Sequence, residues 1–380
     1  MLITIIIFIT IMSFLVLIHE FGHFYSAKRQ GVEVEEFGIG IPPRLFGKKI
    51  KGTLFSINLL PFGGFVKLRG EEGTKDSSKA YDYALKDPLN YLSKKPLQKL
   101  EIILAGIFMN VIVTFVVFYV LFLFTNFRTL TLPLLFEYIF PFGKKEILNT
   151  AVTGVLPNSP AYVANIENGE VILEVNGNPV YKVEDLRTML DQSEGEVSIL
   201  LMDIKTFSRE IRSVTLTPTL NEDQSKTIGV ILGKAITIDY RDQKALSGIL
   251  HSVNMLGYTI HVFGTLIQES FSQRNIAPIS VAVSGPVGVV AVIDSFVKLD
   301  SFDAFVRILD LVGLLSLSLA FMNFLPVPAL DGGRAVFAII ELLRGRPIHP
   351  KYEAEFHKWG FMALLVLFVL VTIKDFRFFF

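Results

Sequence analysis

His19, Glu20 and His23 fall in the run LVLIHEFGHF, after an N-terminal stretch with no charged side chain before Glu20. Histidines at i and i+4 of a helix project from one face and can share one Zn²⁺. A glutamate beside the first can take a proton from water that the metal activates. That chemistry is metal-assisted hydrolysis. The pattern is short, and in a chain of this length it arises by chance roughly once per hundred proteins. A satisfied histidine pair in a soluble core would look the same. The apolar surroundings weigh against that bland reading, because ionisable side chains in a spanning helix are costly and usually functional.

A catalytic zinc usually takes three protein ligands and leaves a fourth position for water. The chain has no cysteine, so the third ligand must be His, Asp or Glu. The remaining histidines are His251, His261, His349 and His357. A better candidate is Asp331 in AFMNFLPVPALDGGRA; Asp310 in RILDLVG is the alternative. Alone, Asp331-Gly332-Gly333 reads as a turn after a helix end, and only beside His19 and His23 does it read as a ligand. Asn323 either hydrogen-bonds the backbone of a bound peptide or satisfies carbonyls freed at Pro326 and Pro328.

The elements that must carry these residues are membrane spans. At 380 residues, 51% of them hydrophobic, the chain is too apolar for an ordinary soluble enzyme. A net charge of zero offers nucleic acid no basic surface. Apolar windows at about 2–24, 100–125, 306–340 and 359–373 predict four spans, the third interrupted by its prolines. The fourth is short unless the tail FRFFF extends it, with Lys374 and Arg377 snorkelling. Residues 1–18 lack the charged start and small-residue cleavage site of a secretory signal, and they read as a retained first span.

Charge bias sets the orientation. Lys28, Arg29, Arg44, Lys48, Lys49 and Lys51 follow span one, and Lys94, Lys95 and Lys99 precede span two. Arg334, Arg344, Arg346, Lys351 and Lys358 separate spans three and four. By the positive-inside rule both loops are cytoplasmic, leaving both termini and 127–305 outside. Spans one and three then run inward, so His19 and Asp331 both reach the inner side of the bilayer. His251 and His261 fall on the wrong face, and Asp310 lies near the outer end of its span. A broken helix at membrane depth is tolerated where it is buried in protein or lines a wet cavity.

Three other segments stand out. Residues 52–70, GTLFSINLLPFGGFVKLRG, hold two alternating runs around Pro-Phe-Gly-Gly, which predicts a β-hairpin on the cytoplasmic side. It is either a plain solvated hairpin or an edge that pairs with an extended substrate. Region 146–235 has a soluble composition, and its order SPA…NGEVILEVNGNPV, helix, two strands resembles a PDZ domain, with Glu170 where that family more often has Asp. Such domains bind extended peptides; the alternative is a folded spacer. Residues 244–275 have helical spacing and few charges, and the charge-based topology favours an amphipathic helix on the outer surface.

Taken together, HEFGH, PFGGFVKLRGE, the PDZ-like region, SGPVGVV at 284–290 and NFLPVPALDGG resemble the site-2 protease family of intramembrane zinc metalloproteases. Its bacterial regulated-proteolysis branch is nearest, and the resemblance spans nearly the whole chain. It implies a polytopic α-helical membrane protein of about four spans, with a membrane-associated β-hairpin and one inserted PDZ-like domain. The organisation expected is a first half of the protease core at 1–126, the PDZ-like domain at 146–235, a membrane-surface linker at 236–305 and a second half at 306–380. The resemblance also implies one Zn²⁺ per chain held by His19, His23 and Asp331, Glu20 as catalytic base, and substrate contacts from Asn323, Gly63, Gly64, Phe65, Val66 and Lys67. The expected substrates are single-span membrane proteins already trimmed by an upstream protease, and the expected location is the bacterial cytoplasmic membrane. A departure from the best-known enterobacterial member is one PDZ-like domain where that protein has two. The rivals are a non-catalytic scaffold working through the PDZ-like region and a divalent-metal transporter, which would need acidic or histidine residues recurring along several spans.

Overall fold

Away from water, an apolar run satisfies its backbone only as a helix or a closed barrel, and the long apolar runs here fold as helices. The computed structural model describes residues 2–71, 78–130, 132–203, 211–221, 225–275, 285–298 and 301–379. Ser284 of the SGPVGVV run and Phe380 of the tail lie outside them. In chain order the helices are α1 (Leu2–Arg29), α2 (Ser78–Lys86), α3 (Pro96–Phe124), α4 (Pro160–Val163), α5 (Val183–Gln192), α6 (Ser247–Gln273), α7 (Pro286–Val297), α8 (Ser301–Phe324), α9 (Asp331–Arg344) and α10 (Pro350–Phe379). Among the described residues four of them, α1, α3, α8 and α10, are long and apolar enough to cross a membrane. The fourth candidate span covers 28 residues, Pro350–Arg377, about 42 Å of helix. It exceeds the 359–373 window because Tyr352 and Phe356 continue the helix through turns too polar for a hydropathy window.

The chain divides into two units, residues 1–117 with 269–298 and 307–380, and residues 118–268 with 299–306. In the first, Phe8, Ile11 and Leu15 of α1, Val113 of α3 and Ile293 of α7 form a buried cluster, closed by Ile308, Leu311, Val312 and Leu315 of α8. Helix α7 therefore packs among the spans and not in a surface linker, because PVGVVAVI is apolar on every side. Asp375 of α10, buried, accepts hydrogen bonds from Gly285 N (2.6 Å) and Gly288 N (3.1 Å) and so caps the start of α7.

Strands β1 (Val34–Ile50) and β2 (Thr53–Leu68) turn at Lys51 and Gly52, both in left-handed conformations. This corrects the hairpin expected within 52–70: the turn lies upstream, and both runs around Pro-Phe-Gly-Gly belong to β2. The first half of β1 separates them, pairing Phe37 with Val66 on one side and Phe55 on the other. The missing partner, residues 34–39, was not legible because Gly38, Gly40 and the two prolines at 42–43 blur its alternation.

The second unit holds a seven-stranded sheet. Its strands are β3 (Leu132–Pro133), β4 (Lys144–Val155), β5 (Glu170–Val175), β6 (Asn178–Pro179), β7 (Val197–Asp203), β8 (Ile211–Leu216) and β11 (Val230–Asp239). The order is β3-β11-β4-β5-β7-β8, with β6 on β5. A short pair, β9 (Thr219–Leu220) and β10 (Lys226–Thr227), stands apart. Val152, Ile172, Leu186, Leu190, Ile199 and Leu201 bury the face under α5. Glu170 is buried and satisfied, taking Arg212 Nε at 2.7 Å and Glu167 N at 2.8 Å. The sheet overruns the expected 146–235 at both ends.

Candidate metal centre

Helix α1 presents His19 and His23 one turn apart on the side that faces α3, where Gly106 makes room for them. A Cβ on Gly106 would lie 2.7 Å from His23 Cε1 and 2.8 Å from His19 Cε1. The two Nε2 atoms stand 3.1 Å apart. Asp331 opens α9, after the break at 325–330, and puts Oδ2 2.9 Å from His19 Nε2 and 3.2 Å from His23 Nε2. Gly332 lets this first turn close on the loop before it, since a Cβ there would sit 2.6 Å from Phe324 O.

The donor set fits a zinc ion. Ligand bonds of about 2.0–2.2 Å in a tetrahedron place donor atoms about 3.3–3.5 Å apart, slightly more than the three separations found. Asp331 Oδ2 is buried and accepts no well-aligned hydrogen bond, although both imidazole nitrogens are close. Three atoms able to donate an electron pair thus converge on one point, the carboxylate oxygen with no well-aligned hydrogen bond of its own among the described residues. His23 Nδ1 lies 2.9 Å from Ile102 O, so Nδ1 carries the proton and Nε2 keeps its lone pair for a metal. Among the described residues His19, His23 and Asp331 form the one group of three or more such side chains that could hold an ion.

His19 is supported from α3. Asn110, fully buried, brings its amide to 3.4 Å from His19 Nδ1, and its Oδ1 has no partner among the described residues. Turned about its Cβ–Cγ bond, the same amide accepts the Nδ1 proton that frees Nε2. Asn110 is in turn seated by its own carbonyl, which takes the hydroxyls of Thr114 (2.9 Å) and Ser316 (2.8 Å). Glu20 sits half-buried, with His23, His19, Asp331 and Glu71 as the charges acting on it. Arg334, one turn into α9, pairs with Glu71 in the turn after β2 and links the hairpin to the helix that carries Asp331.

The other expected site residues fall into two groups. Gly63 and Gly64 pack on α1 beside Val16 and Leu17, where Ser13 Oγ donates to Pro61 O (3.0 Å) and accepts from Gly63 N (3.3 Å). Phe65, Val66 and Lys67 continue β2 opposite Gly38, Phe37 and Glu36. Asn323 lies on the last turn of α8, half-buried and outside the metal-competent group. Asp310 and the four other histidines are also outside it. Sequence reasoning missed Asn110, Gly106, Ser13 and the Ile102 carbonyl. Asn110 had a signal, an amide inside a long apolar helix; the carbonyl had none.

The model of peptidase family M50 matches residues 7–367. The chain belongs to peptidase family M50. Like other family M50 proteins it is a zinc metalloprotease, a metalloendopeptidase with membrane-spanning helices. A Clostridium perfringens protein described as a zinc metalloprotease is 32% identical over 96% of this chain and 95% of its own length. The zinc metalloprotease RasP of Shouchella clausii is 27% identical over 98% of each chain. A solved PDZ domain of an SdrC-like protein from Listeria monocytogenes is 17% identical, covering 22% of this chain and 87% of that one with a TM-score of 0.20.

Proposed function

We propose that this M50 peptidase hydrolyses peptide bonds within or beside the transmembrane segments of single-span membrane proteins, using one zinc ion per chain held by His19, His23 and Asp331. The observation that carries this reading is the convergence of those three donors beside Glu20, with both histidines and Glu20 on a helix apolar enough to span a bilayer. A zinc ion there supplies Lewis acidity toward a scissile carbonyl and lowers the pKa of water. Glu20 takes the water proton and returns it to the leaving amine. Ile102 O and Asn110 hold the two imidazoles in the tautomer that leaves Nε2 free. A helical substrate hides its carbonyls in i→i−4 bonds and must unwind to be cut. The β2 segment 63–67, docked on α1 within two turns of His19, supports pairing with the unwound strand. In this reading Asn323 also contacts the substrate backbone.

The positive-inside bias supports a cytoplasmic-side active site in a bacterial inner membrane, with 146–235 outside as a PDZ-like filter for substrates already shortened by another protease. The test is cleavage of a model single-span protein in liposomes by wild type and Glu20→Gln. Loss of the proton acceptor should lower turnover on the order of 10²–10⁴-fold while bound zinc stays at the wild-type level. Zinc binding with cleavage indifferent to Glu20 would favour the scaffold or transporter reading instead.

A further inference from the structure

The break that carries Asp331 is held from outside at one point. Within it, Val327 N bonds Leu325 O (2.7 Å), Leu330 N bonds Val327 O (3.2 Å) and Gly333 N returns to Leu330 O (3.1 Å). Pro326 and Pro328 have no N–H to offer. Ala329 stands at φ 71°, a left-handed conformation that a residue with a Cβ avoids. Its N–H donates to Nδ1 of His357 on α10 at 2.7 Å. Among the described residues no other hydrogen bond joins 325–330 to an element beyond α8 and α9, which flank it.

We infer that His357 is a positioning residue for the metal centre: its Nδ1 fixes Ala329 in the left-handed turn and so sets where Asp331, two residues on, meets His19 and His23. His357 itself is outside the metal-competent group. Packing does not account for an imidazole here. A ring that accepts through Nδ1 carries its proton on Nε2, and that atom is buried without a partner among the described residues, a costly arrangement. A phenyl ring would fill the same space between Phe337 and Phe356 without burying a donor. The acceptor is what histidine adds. Gly360 contributes from the same helix: a Cβ there would come within 2.9 Å of Pro328 Cα, so α10 approaches the break closely enough for the bond to form.

The inference rests on the triad being a zinc site. Its test reads bound zinc, not proteolysis, in the full-length protein against a graded chelator. His357→Phe should weaken zinc retention about 10–100-fold. His357→Asn, whose Oδ1 takes the place of Nδ1, should restore most of it. Ala329→Gly in the His357→Phe background should recover part of the loss, because glycine adopts the left-handed turn without strain. His357→Leu, also lacking an acceptor, carries the test if the phenylalanine variant does not fold. Wild-type zinc retention in the acceptor-free variants overturns the inference. Equal losses in the phenylalanine and asparagine variants, with no recovery from glycine, overturn it too. Failure of the triad reading shows separately, as wild-type zinc retention by Asp331→Ala.

Discussion

Gly106 is the smallest side chain at the metal centre, and the imidazoles depend on its absence of bulk. A methyl group there would overlap His19 and His23, and α1 would have to move away from α3. Gly106→Ala should therefore destabilise the protein by about 1–3 kcal/mol and lower zinc occupancy, read by thermal unfolding and metal analysis; unchanged values on both would contradict the geometry. At this scale the sequence was most informative where spacing is local. His19, Glu20 and His23 declare themselves because 3.6 residues per turn brings i and i+4 together. Asp331 was reached through charge bias and the proline break. Gly106, Asn110 and Ile102 belong to the site only because α3 crosses α1 where it does, and no local pattern encodes that crossing.

Element by element, the hairpin shows what alternation hides. The runs on either side of Pro-Phe-Gly-Gly were legible as strands, yet their common neighbour was not, because Gly38 and Gly40 stand where a strand signal needs side chains. What seats Pro-Phe-Gly-Gly on α1 is Ser13, which bonds the chain on both sides of Phe62. Ser13→Ala removes both bonds, at about 1 kcal/mol each, without touching a zinc donor. The expected outcome is a higher KM for a single-span substrate, by roughly 5–30-fold, at unchanged bound zinc. An unaltered KM would detach the hairpin from substrate binding. The broken third span was legible from its prolines, and the full length of the fourth was not, since its first turns are amphipathic.

For the molecule as a whole, each unit carries its own buried polar network, and the one in the second unit makes a prediction about pH. His251 is enclosed by Phe118, Phe122 and Tyr240, with Nδ1 3.2 Å from the Tyr240 hydroxyl, which also receives Asn254 Nδ2 at 2.6 Å. Burial lowers its pKa from 6.5 to about 3, so the folded unit keeps it neutral where the unfolded chain takes up a proton. Its contribution is complete above pH 6.5 and falls by about 1.4 kcal/mol per pH unit as pH drops from 6.5 toward 3. Hydrogen exchange of α6 and β11 should accelerate between pH 7 and 5 beyond the change intrinsic to pH, and less so in His251→Leu; matching profiles would refute the assignment. The most direct test of the central claim is zinc K-edge X-ray absorption on the purified full-length protein and Asp331→Ala. Two imidazole nitrogens and a carboxylate oxygen at about 2.0–2.2 Å, with the carboxylate shell lost in the variant, are the predicted result. A zinc environment identical in the two proteins would contradict it.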